Sequence, residues 1–189
     1  LVQAMHHTTY RAAFNKKLID QPLMRNVLAD LALESEAALA MTLRLGRAID
    51  ESAENEQAAA FARIVTAVGK YWICKRPPAH CVEALECLGG PGYIEDSIMP
   101  RLYREAPLNS IWEGSGNIMC LDVLRSMYRE TAAIPAILTE LEFVRGGNSQ
   151  LDAAIDRLAT ELGDPERLEV RARQLTELIA LTLQAALLV

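Results

Sequence analysis

The sequence predicts an all-α fold, an antiparallel helical bundle with a helical C-terminal extension. Three observations carry that prediction. Of the 189 residues, 51% are apolar but only 5% aromatic. Ala and Leu, both helix formers, are abundant, whereas strands draw on aromatic and β-branched residues. Apolar residues recur at three- and four-residue spacings, and no window alternates convincingly with period two.

In chain order, Leu1–Asn15 reads as the end of a helix, and Lys16, Lys17, Asp20 and Pro22 mark a polar break. Leu23, Val27, Leu28, Leu31, Ala38, Met41 and Leu45 then outline one face of a helix over Leu23–Asp50. A second long helix, Asn55–Lys75, carries Phe61, Ile64, Val65, Val68, Trp72 and Ile73. Pro77-Pro78 breaks or kinks it, because proline lacks the donor N–H and crowds the preceding turn. Helix resumes over Ala79–Leu88. The run Gly89-Gly90-Pro91-Gly92 cannot be helix interior and predicts a tight turn or a close approach of the backbone to something else. A helix over Asn117–Glu130 follows, with Ile118, Leu121, Leu124 and Met127 on its apolar face. Shorter helices are expected at Ala133–Val144, Gln150–Leu162 and Pro165–Val189, with Pro165 at the first helical position. A composition shift near Glu130 divides the chain into a bundle domain, 1–130, and a helical extension, 131–189. The extension holds five Arg, no Lys and nine acidic residues, a net of −4.

The formal charge of −6 argues against bulk attraction to nucleic acid or to an anionic membrane. The longest apolar runs, such as Ala185–Val189, fall far short of the roughly 20 residues that span a bilayer. Nothing at the start resembles a signal peptide, which predicts a cytoplasmic protein. Beginning on Leu1 and ending mid-pattern at Val189, the chain reads as part of a longer protein. Cys74, Cys81, Cys87 and Cys120 form no C-x-x-C pair and are expected to be buried free thiols. His6 and His7 are adjacent, so on a helix they point apart, and His80 is remote in sequence; no metal site is expected.

The most informative stretch is Arg101–Leu124, RLYREAPLNSIWEGSGNIMCLDVL. Glu113 stands between the bulky Ile111-Trp112 and the small-residue run Gly114-Ser115-Gly116-Asn117. A carboxylate held against apolar walls loses solvation of its charged form and becomes a better general base. Free N–H groups at the following helix start could hold a phosphate or another polar ligand group. A surface turn with a solvated Glu113 fits the same residues. Bland readings stand beside other positions too. Arg11 could also be a solvated helix residue, and Trp112 and Tyr93 read as core aromatics. Arg101 and Arg104 are expected to pair with acids such as Glu105 or Asp96, and Arg167 and Arg171 to form salt bridges.

Three motifs, in order, resemble the C-terminal helical domain of the acyl-CoA dehydrogenases. Arg11-Ala12-Ala13-Phe14 with Asn15-Lys16-Lys17-Leu18-Ile19 is similar to R-x-x-F-G-x-x-I/L. Glu86-Cys87-Leu88-Gly89-Gly90-Pro91-Gly92-Tyr93 is similar to Q-x-x-G-G-x-G-Y/F, and Trp112-Glu113-Gly114-Ser115 with Asn117 to Y-E-G-T-x-Q/E. The longer string through Arg125, with Ile73–Arg76, looks closest to the alkylation-response (AidB-like) branch, which carries a helical extension after the Glu motif.

The resemblance implies that Glu113 removes the α-proton of an acyl-CoA thioester while the β-hydride passes to the flavin of FAD. It implies that Trp112 and Gly114 border the substrate pocket and that Ser115 and Asn117 hydrogen-bond FAD. Arg11 and Phe14 would touch the FAD of a neighbouring subunit, and Glu86, Gly89 and Gly90 would lie at the adenosine end. A homo-oligomer, tetramer or dimer, follows from the same resemblance. Asn15 stands where the family has Gly, Lys17 where it has Pro or Leu, Glu86 where it has Gln, and Trp112 where it has Tyr. The family's N-terminal helical and middle β-domains, which hold most of FAD, are absent from this chain. Members of the AidB-like branch bind double-stranded DNA with little dehydrogenase activity, so the resemblance implies that alternative as well. A plain helical assembly domain with an unused Glu motif is a third reading.

Overall fold

Long helices form where the three-four apolar spacing runs unbroken. The computed structural model describes residues 1–164 and 166–189, and nearly all of their regular structure is helical. Helix α1 (Val2–Tyr10) leads into a hairpin of β1 (Ala12–Ala13) and β2 (Lys16–Lys17), then a 3-10 turn, Leu18–Asp20. The long helices α2 (Pro22–Glu51) and α3 (Glu56–Lys75) follow, then α4 (Pro77–Leu88) and the single turn α5 (Gly90–Tyr93). Next come α6 (Met99–Glu105) and a 3-10 turn, Ala106–Ser110. The chain continues through α7 (Gly116–Arg129), α8 (Ala133–Glu142), α9 (Ser149–Gly163) and α10 (Leu168–Leu188). Pro165, expected to open the last helix, lies outside the described residues.

Helix starts follow side-chain chemistry. The Asn55 side-chain oxygen accepts from the N–H groups of Gln57 and Ala58 at 3.0 and 3.1 Å, and Asn148 does the same for Gln150 and Leu151. Each thereby satisfies donors that the first helical turn leaves free. Pro77 and Pro78 sit in the first turn of α4, where a missing N–H is harmless, so they begin that helix instead of preceding it.

The described residues form two units, each built from two stretches of chain. Leu1–Glu36 with Cys74–Trp112 packs around Ala4, Leu28, Leu31, Ala84, Cys87, Leu88 and Met99. Ala37–Ile73 with Glu113–Val189 packs α10 against α7, α8 and α9. Its fully buried side chains include Phe61, Ile64, Ile137, Leu141, Ile179 and Leu183, each stabilising the fold by roughly 1.5–3 kcal/mol. Directional contacts fix the same unit. Arg44 donates to both Glu140 oxygens at 2.6 and 2.8 Å and lies over the Phe61 ring, 4.2 Å from its centre. Trp72 Nε1 donates to Gln184 Oε1 at 3.0 Å, and Arg63 makes a two-pronged pair with Asp122 at 2.8 and 3.0 Å.

Four sequence expectations are corrected. The helix expected through Asn15 stops at Tyr10, and Ala13 pairs with Lys16 and Ala12 with Lys17 in a tight hairpin. Its two turn residues, Phe14 (φ 53°) and Asn15 (φ 59°), supply the positive φ values that such a turn requires. The glycine run carries a helical turn of its own: Gly89 (φ 65°) ends α4 and α5 begins at once. On α7 the buried positions are Cys120, Val123, Leu124 and Ser126, while Ile118 and Leu121 face outward. A strict spacing of three slips by about 60° per step on a helix of 3.6 residues per turn, so of the expected face Ile118, Leu121, Leu124 and Met127 only Leu124 and Met127 pack inward. Of the cysteines, Cys87 and Cys120 are buried but Cys74 and Cys81 only half so. Burial pushes the Cys81 and Cys87 thiols up.

Candidate functional site

The second unit carries Glu113 at the entrance to α7. The 3-10 turn ahead of it is closed by the N–H groups of Ile111 and Trp112, which donate to the Leu108 carbonyl at 2.9 and 3.2 Å. Glu113 then takes φ 54° and Gly114 φ 107°. A side chain other than glycine in this region is strained by about 1–3 kcal/mol and persists only where its surroundings impose it. Ser115 follows as the residue capping α7 by position, yet its side chain makes no capping hydrogen bond. Among the described residues, nothing accepts from the N–H groups of Gly116, Asn117 and Ile118, which stand open to an outside acceptor. Asn117 lies exposed in that turn.

The described residues leave open the apolar wall expected around Glu113. Ile111 is 63% and Trp112 54% exposed, and Glu113 itself is exposed. Successive residues of a turn point in different directions, so neighbours in sequence do not enclose one another. Among the described residues, Glu113 has no hydrogen-bond or ion-pair partner. Trp112 and Tyr93 are both exposed, which corrects their reading as core aromatics.

The first unit gathers a second set of positions. Arg11, Glu86, Gly89 and Gly90 line one groove of about 460 Å³ together with His7 and Leu18. Phe14 is not among its lining residues; it projects from the hairpin tip, 96% exposed. The glycines there differ in kind. A Cβ on Gly92 would stand 2.3 Å from the Leu85 carbonyl oxygen, so α5 packs on α4 only through a bare Cα. Gly89 is required by its positive φ. Gly90 has neither reason, since a Cβ there would meet nothing within 4 Å.

Sequence reasoning missed two features. Beyond the first groove, Leu85, Tyr93, Ile94, Pro100, Tyr103 and Arg104 help line a larger apolar one of about 650 Å³. Met119 lies against Gly114, a contact no local pattern announces. The expected ion pair Arg101–Glu105 forms at 3.0 Å. Arg104 instead meets Glu95, at 2.7 Å, and holds that carboxyl below its ordinary value. Arg171 pairs with Glu161 and Asp164, while Arg167 precedes α10 in a left-handed conformation.

A helical fold with a strained glutamate at a glycine-flanked helix entrance matches a known domain. Residues 1–128 match the description "Acyl-CoA dehydrogenase, C-terminal domain", and the chain belongs to that family. AidB of Escherichia coli (strain K12) is 46% identical over 162 residues, 86% of this chain and 30% of AidB. The crystal structure of Caenorhabditis elegans ACDH-11 in complex with C11-CoA matches with a TM-score of 0.89 and 26% identity, covering 98% of this chain and 35% of that one. An acyl-CoA dehydrogenase from Bacillus anthracis, complexed with FAD, shares the fold at a TM-score of 0.65 and 19% identity, covering 98% and 36%. The chain thus spans about a third of the length of these relatives. No helix among the described residues is long and apolar enough to cross a membrane.

Proposed function

We propose that this chain is the C-terminal helical part of an FAD-dependent acyl-CoA dehydrogenase-like flavoprotein that introduces an α,β double bond into an acyl-CoA thioester, with Glu113 as base. The observation that carries this reading is the left-handed Glu113, without a partner among the described residues, at the start of α7, where Ser115 makes no capping bond. Backbone strain around an ionisable residue that serves no internal contact points to function.

The Glu113 carboxylate accepts the α-proton. That proton is a poor acid until the thioester oxygen receives hydrogen bonds, and the free backbone N–H of Glu113 can donate one. Bound flavin would supply the hydride acceptor, which no side chain of this chain provides. The residues present fit one end of FAD. Arg11 would pair with its pyrophosphate, and the bare Cα of Gly90 gives the backbone room to approach. Glu86 suits a ribose hydroxyl, because a carboxylate accepts hydrogen bonds and repels phosphate. Ser115 and Asn117, at the start of α7, would hydrogen-bond the cofactor. Trp112 and Gly114 border the acyl pocket. Arg11 and the projecting Phe14 serve a neighbouring subunit's FAD, which makes the protein a homo-oligomer, a tetramer by family resemblance. Residues 1–130 form the family domain and 131–189 its extension, a division supported by the family match ending at residue 128.

A second reading, an AidB-like flavoprotein that binds double-stranded DNA with little dehydrogenase activity, is favoured by one observation. The likeness to AidB covers 86% of this chain, more than the family domain alone. The test uses the full-length protein, its flavin spectrum recorded anaerobically before and after a panel of acyl-CoAs. Glu113→Gln keeps the shape of the side chain and removes its basicity, so flavin content stays while reduction slows by about 100-fold or more. A variant that reduces flavin at the wild-type rate removes Glu113 from the mechanism. A wild type that no acyl-CoA reduces, but that binds duplex DNA in a salt-dependent way, selects the second reading.

A further inference from the structure

We infer that Met119 is a positioning residue that holds the Glu113–Gly114 backbone in its left-handed conformation. The inference rests on the reading of Glu113 as the base. Its ground is geometric. A Cβ built on Gly114 would lie 2.4 Å from Met119 Cε, 3.1 Å from Sδ and 3.6 Å from Cγ. Three successive atoms of one side chain therefore run along the face of Gly114 where a side chain of its own would stand. The other side of Met119 is anchored: it is half-buried and packs on the core of the second unit. Its backbone N–H donates to the Ser115 carbonyl at 2.9 Å, closing the first turn of α7. Met119 thus links the packed core to the loop that carries the carboxylate.

Such a link is needed because, among the described residues, no hydrogen bond holds Glu113 or Gly114 themselves. Glu113 and Gly114 have successive positive φ values, 54° and 107°, and Glu113 has no hydrogen-bond partner among the described residues. An unbranched thioether suits the task, since it follows an irregular surface that a branched side chain would not. Position 114 favours glycine for its φ, and a side chain there would also displace the Met119 thioether. Without the thioether, Glu113 relaxes to the ordinary β or right-handed regions, which lie lower in energy for an L-residue. Its carboxylate then points elsewhere, and the competent fraction falls. A displacement of about 1 Å in a reacting group can slow chemistry by about 100-fold.

The test uses the full-length flavoprotein with Met119→Ala and Met119→Leu, read by crystal structure and by anaerobic flavin reduction. Met119→Ala is expected to keep its flavin while Glu113 leaves the left-handed region. Its reduction rate at saturating acyl-CoA should fall by about tenfold or more, with KM changed by less than about threefold. Met119→Leu, close in volume, should keep the loop and react within about threefold of wild type. A Met119→Ala protein that retains positive φ at Glu113 and Gly114, or the wild-type rate, overturns the inference. Should Met119→Ala fail to fold, Met119→Val replaces it in both arms, keeping the core contact but no atom beyond Cγ. A wild type that no acyl-CoA reduces defeats the dehydrogenase reading, and the crystal structures alone then decide the role of Met119.

Discussion

Two glycines two residues apart should respond oppositely to the same methyl group. Gly92→Ala would place Cβ 2.3 Å from the Leu85 carbonyl oxygen, 3.1 Å from its carbon and 3.0 Å from Leu88 Cβ. The first two are backbone atoms of α4, so no rotamer change relieves the clash, and ordinary contact lies about 1 Å further out. Either α5 lifts away or α4 distorts. Inserting volume into a packed contact costs about 1–3 kcal/mol, and a rigid backbone neighbour favours the upper part of that range. Gly90→Ala meets open space without a left-handed φ, and gains at most about 1 kcal/mol in helix propensity. Thermal unfolding of the full-length protein separates them. For a domain of this size, each kcal/mol moves the midpoint by roughly 2–4 °C. Gly92→Ala should unfold several degrees early; Gly90→Ala should unfold at or above wild type yet hold flavin less tightly. Equal midpoints for the two variants would refute the packing argument, and undiminished flavin affinity in Gly90→Ala would remove Gly90 from the cofactor site.

Other outcomes follow from single residues. Trp112→Ala should leave stability within about 2 kcal/mol of wild type, since 54% of the residue is already exposed, against about 3–5 kcal/mol for a buried tryptophan. The same variant should reduce flavin better with longer acyl-CoAs, and an unchanged chain-length preference in a panel assay withdraws its pocket role. The Arg63 guanidinium, with Arg125 in support, holds the Asp122 carboxyl below its ordinary 3.8. Its contribution to stability is therefore complete above that value and is lost as pH falls through the lower folded one. Unfolding midpoints measured downward from pH 5 should fall less steeply in Asp122→Asn than in wild type; parallel curves would dismiss the pair as a source of acid lability.

Much of the helix plan was legible. Asn55 and Asn148 announce their helices because a side-chain oxygen is the chemistry a helix start requires, and Phe61, Ile64, Val65 and Val68 carry an unambiguous inward stripe. The hairpin after Arg11 was not legible. Two-residue strands show no alternation, and its turn uses Phe14-Asn15 instead of the Asn-Gly that marks such turns. Asn15, one of the few residues besides glycine that tolerate positive φ, keeps the motif's turn feasible where the family has Gly. The Glu113 motif was readable by its spacing, but its strain and its contact with Met119 were not. Residue types alone give neither a backbone φ nor the direction in which a flexible thioether five residues along will pack.

Trp72 and Trp112, the two tryptophans of the chain, sit in opposite surroundings. Trp72 is buried with its indole N–H bonded to Gln184, while Trp112 stands half in water beside Glu113. Indole emission moves to longer wavelength with hydration, so the chain carries two built-in optical probes of different colour. The blue component reports whether α3 and α10 remain packed. The red component, reachable by iodide, reports whatever closes over the loop at Glu113, and it does so without a label.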